Sequence, residues 1–156
     1  MFDNIYLVLV ALWGWCPKPF GSICMWVTGA VVGIGFDPEI VDYCLENDIV
    51  VVPGCMTPSE VAQGVKRGLE VLKFFPAENA GGIGMLKAMS APYTTVKFMP
   101  TGGISAKNLA DYLTFSKIVC CGGSWMVKAD LINNKEYDKI TELTKEAVEL
   151  VASIRK

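Results

Sequence analysis

A lysine set in an apolar run is the first residue of this chain that could do chemistry. In Val71-Leu72-Lys73-Phe74-Phe75 the amine sits among large hydrophobic neighbours. Side chains on a strand alternate between faces, so Lys73 points either inward with Val71 and Phe75 or outward beneath covering helices. Burial disfavours the ammonium form and lowers a lysine pKa, which leaves the amine available to attack a carbonyl and form a Schiff base. The residues alone keep a second option open, a lysine that snorkels from an edge strand or meets a carboxylate such as Glu78. Lys97, at a similar place in the next apolar run, reads as a structural or solvent-reaching lysine. Two further features follow predicted strands: Pro100-Thr101-Gly102-Gly103-Ile104-Ser105 and Gly122-Gly123-Ser124. Backbone N–H groups exposed by paired glycines bind anions. One Gly-Gly pair is also a plain turn, but two on consecutive strands favour a shared phosphate site. Neither loop follows G-x-G-x-x-G and no Walker lysine accompanies them, so a dinucleotide or P-loop site is excluded.

Composition narrows the chemistry further. The chain has no histidine, which removes Ser-His-Asp triads, Cys-His pairs and His-ligated zinc together. Acid–base work must come from Lys, Glu, Asp, Tyr or Cys. Its six cysteines form no C-x-x-C pair, and two are adjacent inside an apolar run. That pattern fits neither a zinc site nor a disulfide scaffold, so no metal is expected and reduced thiols of a cytoplasmic protein are. The start, Met1-Phe2-Asp3-Asn4, is acidic where a secretory signal needs positive charge. A net charge of −2 gives no bulk attraction to nucleic acid or to acidic membranes.

The elements that must position these residues are legible from Asp37 onward, where short apolar runs alternate with amphipathic, capped segments. The runs Ile49–Val52, Val71–Phe75, Val96–Met99 and Ile118–Cys121 recur every 22 to 25 residues, the length of a strand, a helix and two turns in parallel βα units. Helices are predicted at 38–47, 58–67, 82–90, 106–114 and about 136–154. Thr57-Pro58-Ser59-Glu60 predicts a capping box, and Ser105 is a second cap candidate. The last helix has an ordinary apolar stripe and no assigned role. The fold class is therefore α/β.

Residues 1–36 differ in composition. They contain only Asp3 and Lys18 among charged residues, while the other 120 residues carry 28. Three of the four tryptophans lie there, with the apolar runs Ile5–Trp13 and Ile23–Phe36. Neither run reaches the roughly 18 to 20 residues of a spanning helix, and a buried strand or core helix is favoured over a membrane anchor. The second run predicts a strand centred on residues 30–34. The chain thus divides into a 1–36 apolar leader and a 37–156 βα region.

Four ordered segments of that region, Pro53–Glu60, Leu72-Lys73-Phe74-Phe75-Pro76-Ala77-Glu78, Phe98–Ser105 and Gly122-Gly123-Ser124-Trp125, resemble the motifs of the 2-keto-3-deoxy-6-phosphogluconate (KDPG) / 4-hydroxy-2-oxoglutarate (KHG) aldolases. The resemblance implies a class I, metal-free and cofactor-free (β/α)8 TIM barrel. Such a lyase cleaves a 2-keto-3-deoxy sugar acid of Entner–Doudoroff carbohydrate metabolism to pyruvate and an aldehyde. By resemblance Lys73 is the Schiff-base lysine, Thr101 lines the pyruvyl pocket, and Gly102, Gly103, Gly123 and Ser124 form the phosphate loops. The family is usually trimeric, so a homo-oligomer is expected. The implied partners are a small keto acid or phosphorylated sugar acid, with no nucleic acid and no membrane.

The resemblance covers only what correspond to the fourth to eighth βα units, a partial barrel. Family members carry a catalytic glutamate and a carboxylate-binding arginine in a Glu-Val-Thr-x-Arg type motif on the second strand, whereas residues 1–36 contain no glutamate and no arginine. Gly33-Ile34-Gly35-Phe36 likewise stands where the family has a Ser-Pro-Gly segment. Glu78 matches a different family position and is retained as a possible substitute acid/base. The expectation is an aldolase-type lyase of impaired activity; the alternative is a non-catalytic, phosphate-binding fragment of the barrel. An unclosed set of five parallel strands leaves two edges and an apolar inner face, which the leader's apolar runs could cover.

Overall fold

The computed structural model describes residues 24–27 and 30–155. The leader's run at residues 5–13, and any covering role for it, lie outside the described residues. Six strands and six helices follow in the order β1 (Cys24–Val27), β2 (Ala30–Gly33), α1 (Pro38–Glu46), β3 (Val50–Val52), β4 (Gly54–Cys55), α2 (Pro58–Lys66), β5 (Val71–Phe74), α3 (Gly82–Ser90), β6 (Lys97–Pro100), α4 (Leu109–Leu113), α5 (Ala129–Asn133) and α6 (Tyr137–Ile154). The strands form two three-stranded sheets, β1-β2-β3 and β4-β5-β6. Apart from the antiparallel β1–β2 pair, every strand pairing is parallel.

Parallel strands separated by helices make the α/β class expected from the alternation of runs. Strand β2 falls inside the predicted 30–34 segment and pairs in parallel with β3, Val31 opposite Val51. The parallel sheet therefore crosses the compositional step near residue 36. Helices α1, α2, α3 and α6 lie within a residue or two of their predicted bounds, because each carries its own local signal. Asp37 caps α1 through the Glu39 N–H. Thr57 and Glu60 make the reciprocal capping box of α2, with Pro58 in its first turn.

Three expectations need correction. The run Ile118–Cys121 makes no full strand; it touches β6 through the isolated parallel bridges Phe98–Ile118 and Thr101–Gly122. The helix expected at 106–114 begins only at Leu109, and its N-cap is Asn108 instead of Ser105. The Asn108 side chain accepts from the Ser105 N–H, so residues 105–108 close a turn that takes the place of the first helical turn. The short helix α5 had no sequence signal of its own.

The main core lies between the sheet β4-β5-β6 and its helices. Leu72 and Phe74 of β5 and Phe98 of β6 pack there against Val61 of α2, Leu86 and Met89 of α3, Leu109 and Tyr112 of α4 and Val151 of α6. A smaller cluster of Val31, Val41, Cys44 and Val51 joins β2 and β3 to α1. Arg67, just past α2, ties the two parts together by a two-pronged ion pair to Asp42 of α1, at 2.6 and 3.1 Å. Among the described residues no helix is long and apolar enough to cross a membrane.

Candidate functional site

Alternation along β5 decides where Lys73 points. Leu72 and Phe74 are completely buried on the helix-covered face, so Lys73 between them occupies the opposite face. The inward option is the one realised. The lysine is only 6% exposed, and its Nζ lies 4.7 Å from the centroid of the Phe75 ring, within cation–π range. Its strand neighbours across the sheet are Gly54 on one side and Met99 on the other. Position 54 admits no side chain, since an added Cβ would collide with the Ile34 carbonyl oxygen and stand 2.8 Å from the Gly35 nitrogen, so the backbone after β2 lies against this row.

Lys73 stands near the carboxyl end of its strand, and the other candidates gather beyond it. The chain leaves β5 through a cis Phe75–Pro76 bond and is stitched to the end of β6. Thr101 N–H donates to the Phe74 carbonyl at 2.9 Å, Ala77 N–H to the Thr101 carbonyl at 2.8 Å, and Glu78 N–H to the Gly102 carbonyl at 3.1 Å. Thr101 lies two residues beyond Met99, so its side chain returns to the face that carries Lys73. Gly122 pairs with Thr101.

The two glycine pairs adjoin each other. Gly102 and Gly103 have φ of 96° and 79°, a left-handed backbone that favours glycine. A Cβ on Gly123 would come within 3.2 Å of the Ile104 carbonyl oxygen, which places the second loop against the first. Among the described residues, Gly102, Gly103, Gly123 and Ser124 donate their N–H groups to no partner. Four unpartnered donors on two touching loops are a suitable cradle for an anion. The donors themselves make this cradle, since α4 is too short and starts too late to contribute a helix dipole.

Glu78 is placed differently from the other candidates. Its carboxylate accepts a 2.5 Å hydrogen bond from Tyr112 of α4, and Tyr112 belongs to the helix-side core. Burial, and then the Glu78 carboxylate, push the Tyr112 phenol well above its ordinary value, so the hydroxyl remains a donor. The structure therefore gathers Lys73, Thr101, Gly102, Gly103, Gly123 and Ser124 at one end of the sheet, and turns the Glu78 carboxylate toward a helix. Lys97 is exposed at the opposite end of β6, beside Val71. Sequence reasoning missed Asn108, whose Nδ2–H donates to the Gly103 carbonyl at 3.1 Å, and Tyr112. The signal for Asn108 was its spacing of three from Ser105; for Tyr112, 34 residues from Glu78, there was none.

Known proteins share this fold. The KDPG and KHG aldolase family model matches residues 27–143. The KHG/KDPG aldolase of Escherichia coli (strain K12) is 44% identical over 115 residues, which cover 74% of this chain and 54% of that protein. A KDPG aldolase crystal structure from Legionella pneumophila, with pyruvate captured as a covalent carbinolamine intermediate, is 40% identical with a TM-score of 0.69, over 78% of this chain and 56% of that one. The KDPG aldolase of Zymomonas mobilis ZM4, solved with 3-phosphoglycerate, is 37% identical with a TM-score of 0.69, over 76% and 56% of the two chains. The chain thus spans about half the length of the relatives it matches. With the family model matching most of its length and its fold shared with these aldolases, the chain belongs to the KDPG and KHG aldolase family.

Proposed function

We propose that this chain carries the Schiff-base half-site of a class I aldolase acting on KDPG or KHG, with Lys73 as the nucleophile. The observation that supports this most is the burial of Lys73 on the face of β5 opposite the helix-covered one, at the strand end where Thr101 and the two glycine loops meet. In this reading β2, β3 with β4, β5, β6 and residues 118–122 stand for the fourth to eighth strands of a (β/α)8 barrel. The 1–36 leader is then a division of composition, with its residues 30–33 serving as the fourth strand.

The chemistry follows from the amine. Neutral Lys73 Nζ adds to the C2 ketone to give a carbinolamine, and loss of water leaves a protonated imine. The iminium draws the electron pair of the C3–C4 bond as that bond breaks, so the remainder leaves as an aldehyde and the three-carbon fragment stays on Lys73 as an enamine, freed as pyruvate once C3 is protonated and water hydrolyses the imine. Proton removal from the C4 hydroxyl and protonation of the enamine need a carboxylate or a held water. Thr101 borders the pyruvyl group. Gly102, Gly103, Gly123 and Ser124 offer their N–H groups to a substrate phosphate. Glu78, the substitute acid/base expected from the sequence, has its carboxylate engaged by Tyr112, which supports a holding role in place of proton transfer.

Turnover is expected to be weak. Residues 1–36 hold neither glutamate nor arginine, and general acid–base catalysis is typically worth about 10²–10⁴ in rate. This favours a second reading, phosphate-ester binding without cleavage. Self-association, on the pattern of the family's trimers, belongs to the same proposal.

Trapping tests it. Protein incubated with pyruvate and borohydride is expected to gain one pyruvyl adduct, mapped to the peptide bearing Lys73 and absent in Lys73→Ala. Folded protein that takes up no adduct would overturn the nucleophile assignment.

A further inference from the structure

Glu78 touches three parts of the fold: the Gly102–Gly103 loop, α4 and the start of α3. Its own N–H holds the Gly102 carbonyl at 3.1 Å. Gly103 lies directly on its side chain, so close that a Cβ there would stand 2.6 Å from both Glu78 Cβ and Cγ. Its carboxylate accepts from Tyr112, which is 1% exposed in the core, and a Cβ added to Gly82 at the start of α3 would stand 3.3 Å from its Oε1. Asn108 holds the same glycine loop from the other side, through the Gly103 carbonyl.

The loop's own geometry makes such support necessary. Two successive left-handed glycines have wide conformational freedom, and N–H groups bind an anion well only when their directions are fixed beforehand. A carboxylate stem wedged under Gly103 and anchored to a buried phenol fixes them. The aliphatic part of Glu78 supplies the floor, and Tyr112 stops that floor from rotating away.

We propose that Glu78 is a positioning residue for phosphate recognition: held by Tyr112, it sets the Gly102–Gly103 loop so that its N–H groups converge on the phosphate of a substrate. This rests on the reading of those loops as a phosphate site. It makes Glu78 specific to phosphorylated ligands, without a part in imine formation at Lys73.

The test uses the full chain with two readouts, binding of 3-phosphoglycerate by calorimetry and pyruvate trapping at Lys73 by borohydride. Glu78→Ala is expected to weaken 3-phosphoglycerate binding at least tenfold while leaving trapping within twofold. Glu78→Gln keeps the length and an acceptor for Tyr112, and is expected to restore binding to within about threefold of the parent. Tyr112→Phe is expected to fall between the two. Circular dichroism separates these effects from unfolding, and Glu78→Gln keeps the test informative if Glu78→Ala does not fold. Parent-like binding in Glu78→Ala, equal losses in Glu78→Gln and Glu78→Ala, or parallel loss of binding and trapping would each overturn the role of Glu78. A parent chain that binds no phosphate ester would instead overturn the reading of the loops, and this proposal with it.

Discussion

The Thr101 side chain lies against the bare Cα of Gly122: a Cβ added there would stand 3.0 Å from Thr101 Oγ1 and 3.1 Å from Cγ2. The contact joins the end of β6 to the segment after it at the edge of the proposed pyruvyl pocket, and it is tighter than ordinary packing allows for a larger residue. Gly122→Ala should therefore displace Thr101 by a few tenths of an ångström. We expect the pyruvate concentration for half-maximal trapping at Lys73 to rise several-fold, with about 1–2 kcal/mol lost in stability from overpacking. Thr101→Ser in the same chain removes Cγ2 and should recover part of the loss. Identical trapping curves for the parent and Gly122→Ala would show that Thr101 does not border the reacting group.

The capping box of α2 carries a pH dependence. Burial pushes the Glu60 carboxyl up, but hydrogen bonds from Met56 N–H, Thr57 Oγ1–H and Thr57 N–H outweigh it and leave the group below its ordinary 4.5. A carboxyl depressed in the folded state adds stability that is present above the unfolded value and lost as pH falls through the folded one. Urea midpoints should thus be steady above about pH 5 and decline below it, and Glu60→Gln should flatten part of that decline. Thr57→Ala should cost about 1 kcal/mol at neutral pH. An acid limb unchanged in Glu60→Gln would assign the decline to other carboxylates, such as Asp42 beside Arg67.

Three thiols should be inert in the folded protein. Burial pushes Cys55 and Cys121 up to about 12 and Cys120 up to about 11, so little thiolate exists at pH 8, and at the buried Cys55 and Cys121 alkylating reagents also lack access. Iodoacetamide followed by peptide mapping should leave these three unmodified in native protein and label them in denaturant. Rapid native labelling of Cys55 would mean that the β4–α2 junction opens.

What the sequence disclosed depends on how local each signal is. The bounds of α1, α2 and α3 and the central strands were readable because caps, prolines and apolar runs sit within a few residues of what they determine. The Lys73 face needed one non-local fact, which side the helices cover, and periodicity left both options open until Leu72 and Phe74 were seen in the helix-side core. Ser105 reads as a cap, but the Asn108 side chain three residues on accepts from the Ser105 N–H and closes a turn there, so the helix starts after Asn108. The Glu78–Tyr112 bond and the contact of Gly123 with Ile104 join residues far apart in the chain, and no local pattern encodes them. The weak pairing of residues 118–122 escaped prediction for a related reason: their composition is that of a strand, but they bridge β6 at only two isolated points.

Strand β5 puts its anchors and its chemistry on alternate residues, and this divides how it can vary. Substitutions at Leu72 and Phe74 open cavities in a completely filled layer, where Phe→Ala changes typically cost about 3–5 kcal/mol. Changes at Lys73 and Phe75 alter what the other face presents. A saturation library of this strand sorted for folding and for pyruvate capture should return two interleaved, nearly independent patterns of tolerance. Selection could then reshape ligand preference on one set of positions without renegotiating the fold carried by the other.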